Sequence, residues 1–139
     1  MTEEQKDLKD LLIRDLCARL PYGVKVESVF INPDTKEHKS CGIEVFNATS
    51  LLMIRDGLGE FKPYLFPLSS MTLEQRCKAS YIIPEISIAK QKIIFYENGG
   101  SVKLEQLDKL FNFFNLHHID YRGLIEKGLA NDATGLNIY

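Results

Sequence analysis

The sequence predicts an α+β fold: an N-terminal helix, a small antiparallel sheet or barrel-like unit, and a C-terminal helical pair. Three observations predict it. Leu8, Leu11, Leu12, Leu16 and Leu20 recur at helical spacing. Apolar and polar residues then alternate through short segments divided by turn residues. Leu104, Leu107, Leu110, Phe111 and Phe114 restore the helical period near the other end. At 139 residues, with no linker rich in Gly, Pro or Ser and no internal repeat, the chain is expected to form a single domain over 1–139.

The first helix should begin at Thr2, which with Gln5 has the form of a capping box, and Glu3 and Glu4 suit the positive end of the helix dipole. Pro21 stops it and Tyr22-Gly23 turns the chain. Val24, Val26 and Phe30 alternate with Lys25, Glu27 and Val29 as a strand with one buried face. Asn32-Pro33-Asp34-Thr35-Lys36-Glu37 is turn chemistry. Ile43, Val45 and Phe46 predict a second strand and Leu51-Leu52-Met53-Ile54-Arg55 a third, with Asn47-Ala48-Thr49-Ser50 as the hairpin between them. After the Asp56-Gly57-Leu58-Gly59 turn, Phe61-Lys62-Pro63-Tyr64-Leu65 reads as a fourth strand, placed at an edge by its proline.

Thr72 and Gln75 repeat the capping box and start a helix ending near Ser80. Pro84 makes the stretch 81–88 irregular. Lys92-Ile93-Ile94-Phe95-Tyr96 predicts a further strand, closed by Glu97-Asn98-Gly99-Gly100. Asp120 is placed to cap a last short helix through Leu129, with Gly128 near its end. The tail 131–139 has no periodicity and is expected to fray.

Lys and Arg number 17 against 19 Asp and Glu, giving a formal net charge of −2 and no general attraction to nucleic-acid phosphates. With 45% apolar and 26% charged residues, disordered and low-complexity classes are excluded. The first residues are acidic and lack a signal-peptide core, and no stretch reaches the ~18 apolar residues of a membrane span. Cys17, Cys41 and Cys77 are odd in number and widely spaced, which fits reduced, partly buried thiols in the cytoplasm.

Several constellations resemble chemical sites. His117-His118-Ile119-Asp120 concentrates metal-ligand types, but neighbours on a helix point about 100° apart and His38 is remote in sequence. A metal or other cofactor is therefore not expected. Cys77 with His117 or His118 and Asp120 can be drawn as a nucleophile, base and orienting acid. Asn98-Gly99-Gly100-Ser101 ahead of a helix could offer backbone N–H groups to a phosphate, without any of the glycine signatures that usually accompany that role. Phe113 lies off the main apolar stripe, free to be exposed or to face a partner.

Three blocks carry a resemblance: Asp15 to Val26 with its core Leu20-Pro21-Tyr22-Gly23-Val24-Lys25-Val26, Lys62 to Thr72, and His117 to Ala130. Together the chain resembles a family of small uncharacterised proteins of gut Bacteroidetes genomes, prophages and phages. Phe66 stands where relatives often carry Arg, which argues against an anion site in that loop. The resemblance implies a phage or mobile-element setting and an accessory role, and it carries no catalytic residue across.

The expected function is thus a non-enzymatic interaction or accessory protein with a protein partner. A weak nucleic-acid-binding module and an enzyme with a cysteine nucleophile are the alternatives. His117, His118, Tyr121 and Arg122 form the candidate partner-binding segment, because Tyr and Arg carry much of the energy of protein interfaces. The competing expectation is structural, with Tyr121 packed on the preceding helix and Arg122 paired to Glu126 one turn on.

Overall fold

Thr2 and Gln5 close the reciprocal box that starts α1 (Glu3–Arg19), Gln5 N donating to Thr2 Oγ1 at 3.2 Å and Thr2 N to Gln5 Oε1 at 3.0 Å. The structure, a computed structural model, describes residues 1–84, 86–89, 92–95 and 102–139. A single 3-10 turn, Leu20–Tyr22, contains Pro21, and Gly23 at φ +68° reverses the chain into β1 (Lys25–Ile31). The turn at 32–37 leads into β2 (His38–Val45), an edge strand exposed along its whole length.

The predicted third strand is a helix. Asn47 caps α2 (Ala48–Arg55), accepting from Ser50 N while Ser50 Oγ accepts from Asn47 N, each at 3.2 Å. Ser50 thus fills the role usually taken by Glu or Gln, and Leu51, Met53 and Ile54 pack on the same core as Phe46 and Phe61. Next come β3 (Gly59–Pro67), a 3-10 turn at Leu68–Ser70, and α3 (Leu73–Ile82), capped by Thr72 and Gln75. The stretch 81–88 is more regular than Pro84 predicts, since β4 (Ile86–Ala89) begins within it and pairs with β5 (Lys92–Phe95). α4 (Leu104–Leu116), β6 (Ile119–Asp120) and β7 (Asn131–Asp132) complete the order. The candidate phosphate turn at 98–101 and the closing turn at 97–100 lie outside the described residues.

The fold is α+β. Its main sheet runs β2-β1-β3-β6, with β7 also on β3. β1, β2 and β3 pair antiparallel as expected, whereas β6 and β7 join β3 in parallel, so the sheet is mixed. Cys41 is the extra residue of a bulge, because Ser28 pairs with Gly42 and Val29 with Ser40. β3 is flanked on both sides rather than forming an edge, and it tolerates Pro63 through parity. Leu65 turns its carbonyl to Ala133 N, away from the side on which Phe66 N meets His118 O. Pro63 has the parity of Leu65, so its nitrogen faces away from β1 and costs no bond to that strand.

Among the described residues, two apolar clusters organise the interior. Leu16, Val24, Val26, Phe46, Phe61, Leu65 and Leu124 join α1 and α2 to the sheet. Leu68, Met71, Ala79, Ile83, Leu110, Phe114 and Ile119 lie under α3 and α4. No last helix follows Asp120. Its two carboxylate oxygens accept from Leu124 N at 2.8 Å and Ile125 N at 2.9 Å, as a cap would, but Gly123 at φ +72° and Gly128 at φ +73° keep 121–130 in turns. The tail expected to fray is tied down instead: Ala133 N donates to Leu65 O, and the Tyr139 hydroxyl donates to Tyr64 O. Among the described residues no helix is long and apolar enough to cross a membrane.

Candidate functional site

The segment 117–122 runs from the end of α4 into β6 and joins the two clusters, with Ile119 in one and Leu124 shortly beyond in the other. His118 adopts φ +57°, a left-handed conformation that sends the chain back along β3. Its carbonyl accepts from Phe66 N at 2.8 Å, and this bond opens the short parallel pairing of Phe66 with Ile119.

Each of the four candidate residues has a partner. Arg122 does not pair with Glu126; its Nη1 donates to Asp15 Oδ1 on α1 at 2.8 Å. Tyr121 stacks against Phe111 and Phe114, with centroid distances of 5.2 and 5.6 Å. The guanidinium groups of Arg122 and Arg19 lie 4.7 and 5.2 Å from its centroid. Burial raises the Tyr121 phenol above its ordinary pKa. His118 stacks on Tyr139 at 3.7 Å, and its buried Nδ1 has no hydrogen-bond partner among the described residues. Burial first, and then the positive charges of Arg19, His117 and Lys25, push its pKa down to about 4, so the ring is neutral at pH 7.

Beneath these residues lies a charged pair that the sequence reading missed. Asp15 and Arg19 are fully buried, and Arg19 Nε donates to Asp15 Oδ2 at 2.8 Å. Arg19 Nη2 donates to Ile119 O at 2.7 Å, fastening α1 to β6. One carboxylate thereby serves two guanidinium groups, from α1 and from the 121–122 turn. The signal was present: positions 15 and 19 fall seven and eleven residues after Leu8, inside the leucine stripe, where a solvated face would not place charges.

The cysteine constellation does not assemble with Asp120, whose two oxygens are taken by backbone N–H groups. Cys77 is exposed on α3, and no hydrogen bond among the described residues joins it to His117 or His118. Cys17 and Cys41 are exposed as well, rather than partly buried. His38 lies on the exposed strand β2, and no group of three potential ligands gathers among the described residues.

Among the described residues, two concavities bear on these candidates. One of about 560 Å³ opens between α1, β1, β3 and the 128–129 turn, with Leu12, Val29, Ile54, Phe61 and Leu129 among its walls and none of the four candidates. The other, about 460 Å³, is a shallow hollow between α3 and α4 lined by Cys77, Tyr81, Ile82 and Phe113, with Glu74 and Lys78 at its rim. Tyr81 is 90% exposed there. None of the four candidates lines this hollow, and His117 touches it only through Phe113, its ring 4.7 Å from that of Phe113. Burial and the charge of Lys78 lower its pKa, against an opposing effect of Glu74. Phe113, singled out in the sequence as lying off the stripe, is the α4 residue that lines the hollow.

No family model, curated protein or solved structure matches the chain.

Proposed function

We propose that this protein is a non-enzymatic interaction module, an accessory protein of a phage or mobile element working in the cytoplasm, and that it docks a protein partner on the α3–α4 face. The observation that carries this reading is the hollow between those helices. Tyr81, Ile82 and Phe113 offer apolar surface in a concavity of about 460 Å³, with Tyr81 almost wholly exposed. Aromatic anchors that pass from water into a packed pocket dominate binding energy at interfaces. The rim pair Glu74–Lys78, at 3.3 Å, supplies opposite charges for a polar border.

The segment 117–122 supports this face more than it provides it. Tyr121 and Arg122 hold α4 to α1, and His117 borders the hollow through Phe113.

The test places a photo-crosslinking amino acid at Tyr81 in the native host. A discrete adduct with one protein is expected, lost when Phe113→Asp is added to a chain that still melts cooperatively. Adducts no different from those formed from Glu3, on a distant solvated helix start, would overturn the reading.

A further inference from the structure

β1 and β3 pair antiparallel as far as Val26 and Pro63, and the next residues in register are Lys25 and Tyr64. No direct ladder bond joins them. The phenol of Tyr139 stands between the strands, its hydroxyl accepting from Lys25 N at 2.8 Å and donating to Tyr64 O at 2.8 Å. On the same side of β3, Phe66 N then bonds to His118 O, so the phenol fills the gap where β1 gives way to β6.

The ring is held as specifically as the hydroxyl. His118 stacks on it at 3.7 Å and 13°. Phe66 meets it at 5.9 Å with the planes tilted by 53°, and Lys25 Nζ lies 5.7 Å from its centroid. Lys25 Nζ also donates to Ile138 O. His118 reaches its stacking position from a left-handed backbone, an unfavourable conformation of the kind found where a structure holds a ligand.

We propose that this seam is a recognition site for a tyrosine side chain, filled in this chain by Tyr139 and open to a tyrosine of a partner polypeptide when residues 134–139 lift away. The hydroxyl is the discriminating group. Its donor and acceptor are backbone atoms of two different strands, and a phenyl ring would leave both unpaired, which a site of this kind rejects strongly. Between its fastenings at Ala133 and at Ile138–Tyr139, the strap that delivers Tyr139 makes only local hydrogen bonds among the described residues. Ala133 is buried and bonded to Leu65 O, but residues 134–137 are exposed and double back through Gly135 at φ +78° and Asn137 at φ +51°. Exposed segments with few contacts open at low free-energy cost. A tethered side chain competes at an effective concentration of order millimolar, so the incoming tyrosine must bring neighbouring contacts of its own. This site is separate from the α3–α4 hollow and stands whether or not a partner docks there.

The test uses the full chain carrying Tyr139→Ala, with p-cresol as probe and toluene as the matched compound without a hydroxyl. Saturable, millimolar shifts of the Lys25, Phe66 and His118 amide signals are expected from p-cresol, with toluene at least tenfold weaker. A peptide copying residues 131–139 should bind the same variant, and its Phe-for-Tyr analogue at least tenfold more weakly. Equal binding of the paired probes, or no saturable shift from either, would overturn the proposal. Should Tyr139→Ala fail to fold, hydrogen exchange in Tyr139→Phe decides the matter. Faster exchange at the Lys25 amide supports the site, and unchanged protection removes it.

Discussion

Asp15 and Arg19, one turn apart on α1, form an ion pair from which water is wholly excluded. The pair does more than hold one helix turn. Arg19 bonds the carbonyl of Ile119, and Asp15 receives Arg122, so three segments distant in sequence meet on one carboxylate. Burying charges is expensive, and such a pair is tolerable only when its hydrogen bonds are nearly complete.

Asp15→Ala should therefore be severe. It leaves Arg19 buried and unpaired, which costs about 3–5 kcal/mol. For a chain of this size each kcal/mol lowers the melting temperature by roughly 2–5 °C, so a fall of order 10 °C is expected in a thermal denaturation scan. Replacing the pair together, Asp15→Leu with Arg19→Met, should recover much of that loss, because no uncompensated charge remains beneath Tyr121.

Arg122→Ala should be milder. Arg122 is part-exposed, and Asp15 keeps Arg19 when it goes. A cost of about 1 kcal/mol is expected, read as a drop of a few degrees, and adding Tyr121→Phe should change it little because the stacking survives. Unchanged melting together with lost partner binding would instead make 121–122 an interface.

His118 gives the fold a dependence on acid. Its pKa falls from 6.5 to about 4 on folding, so the unfolded chain binds the proton more readily. This contribution is complete above the unfolded value and is lost as the pH drops from about 6.5 towards 4. Allowing for solvent screening of a half-buried group, it is of order 1–2 kcal/mol. Denaturant midpoints measured between pH 7 and 4 should fall, and in His118→Gln that part of the slope should vanish.

Asn47→Ala tests the helix that replaced a predicted strand. Removing the cap of α2 should cost about 1 kcal/mol, and Asn47→Gly only a few tenths. Urea unfolding of the two variants makes the comparison. Equal losses would mean that the cap side chain contributes little.

The sequence by itself determined the helices that carry their own signals. α1 combines an apolar period with a capping box, α3 carries the capping box and α4 the apolar period, and such short-range physics needs no distant partner. Turns at Gly23, at 32–37 and at 56–59 were equally local. Leu51-Leu52-Met53-Ile54 was ambiguous because a short apolar run fits a strand or a helix, and packing of α2 beside Phe46 and Phe61 decided it. Asp120 shows the converse, since capping chemistry is present while two left-handed glycines prevent the helix. Only the tertiary structure could join β6 and β7 to β3, because two-residue parallel pairings leave no periodic trace. Tyr121 packs on the preceding helix as expected, whereas only the tertiary structure gave Arg19 and Arg122 their distant partners and Tyr139 its place between strands. Those contacts link residues about a hundred positions apart, as in Arg19 with Ile119 and Lys25 with Tyr139. A contact of that kind is stabilised by burial and by satisfying orphaned backbone groups, and neither is defined until the chain has folded.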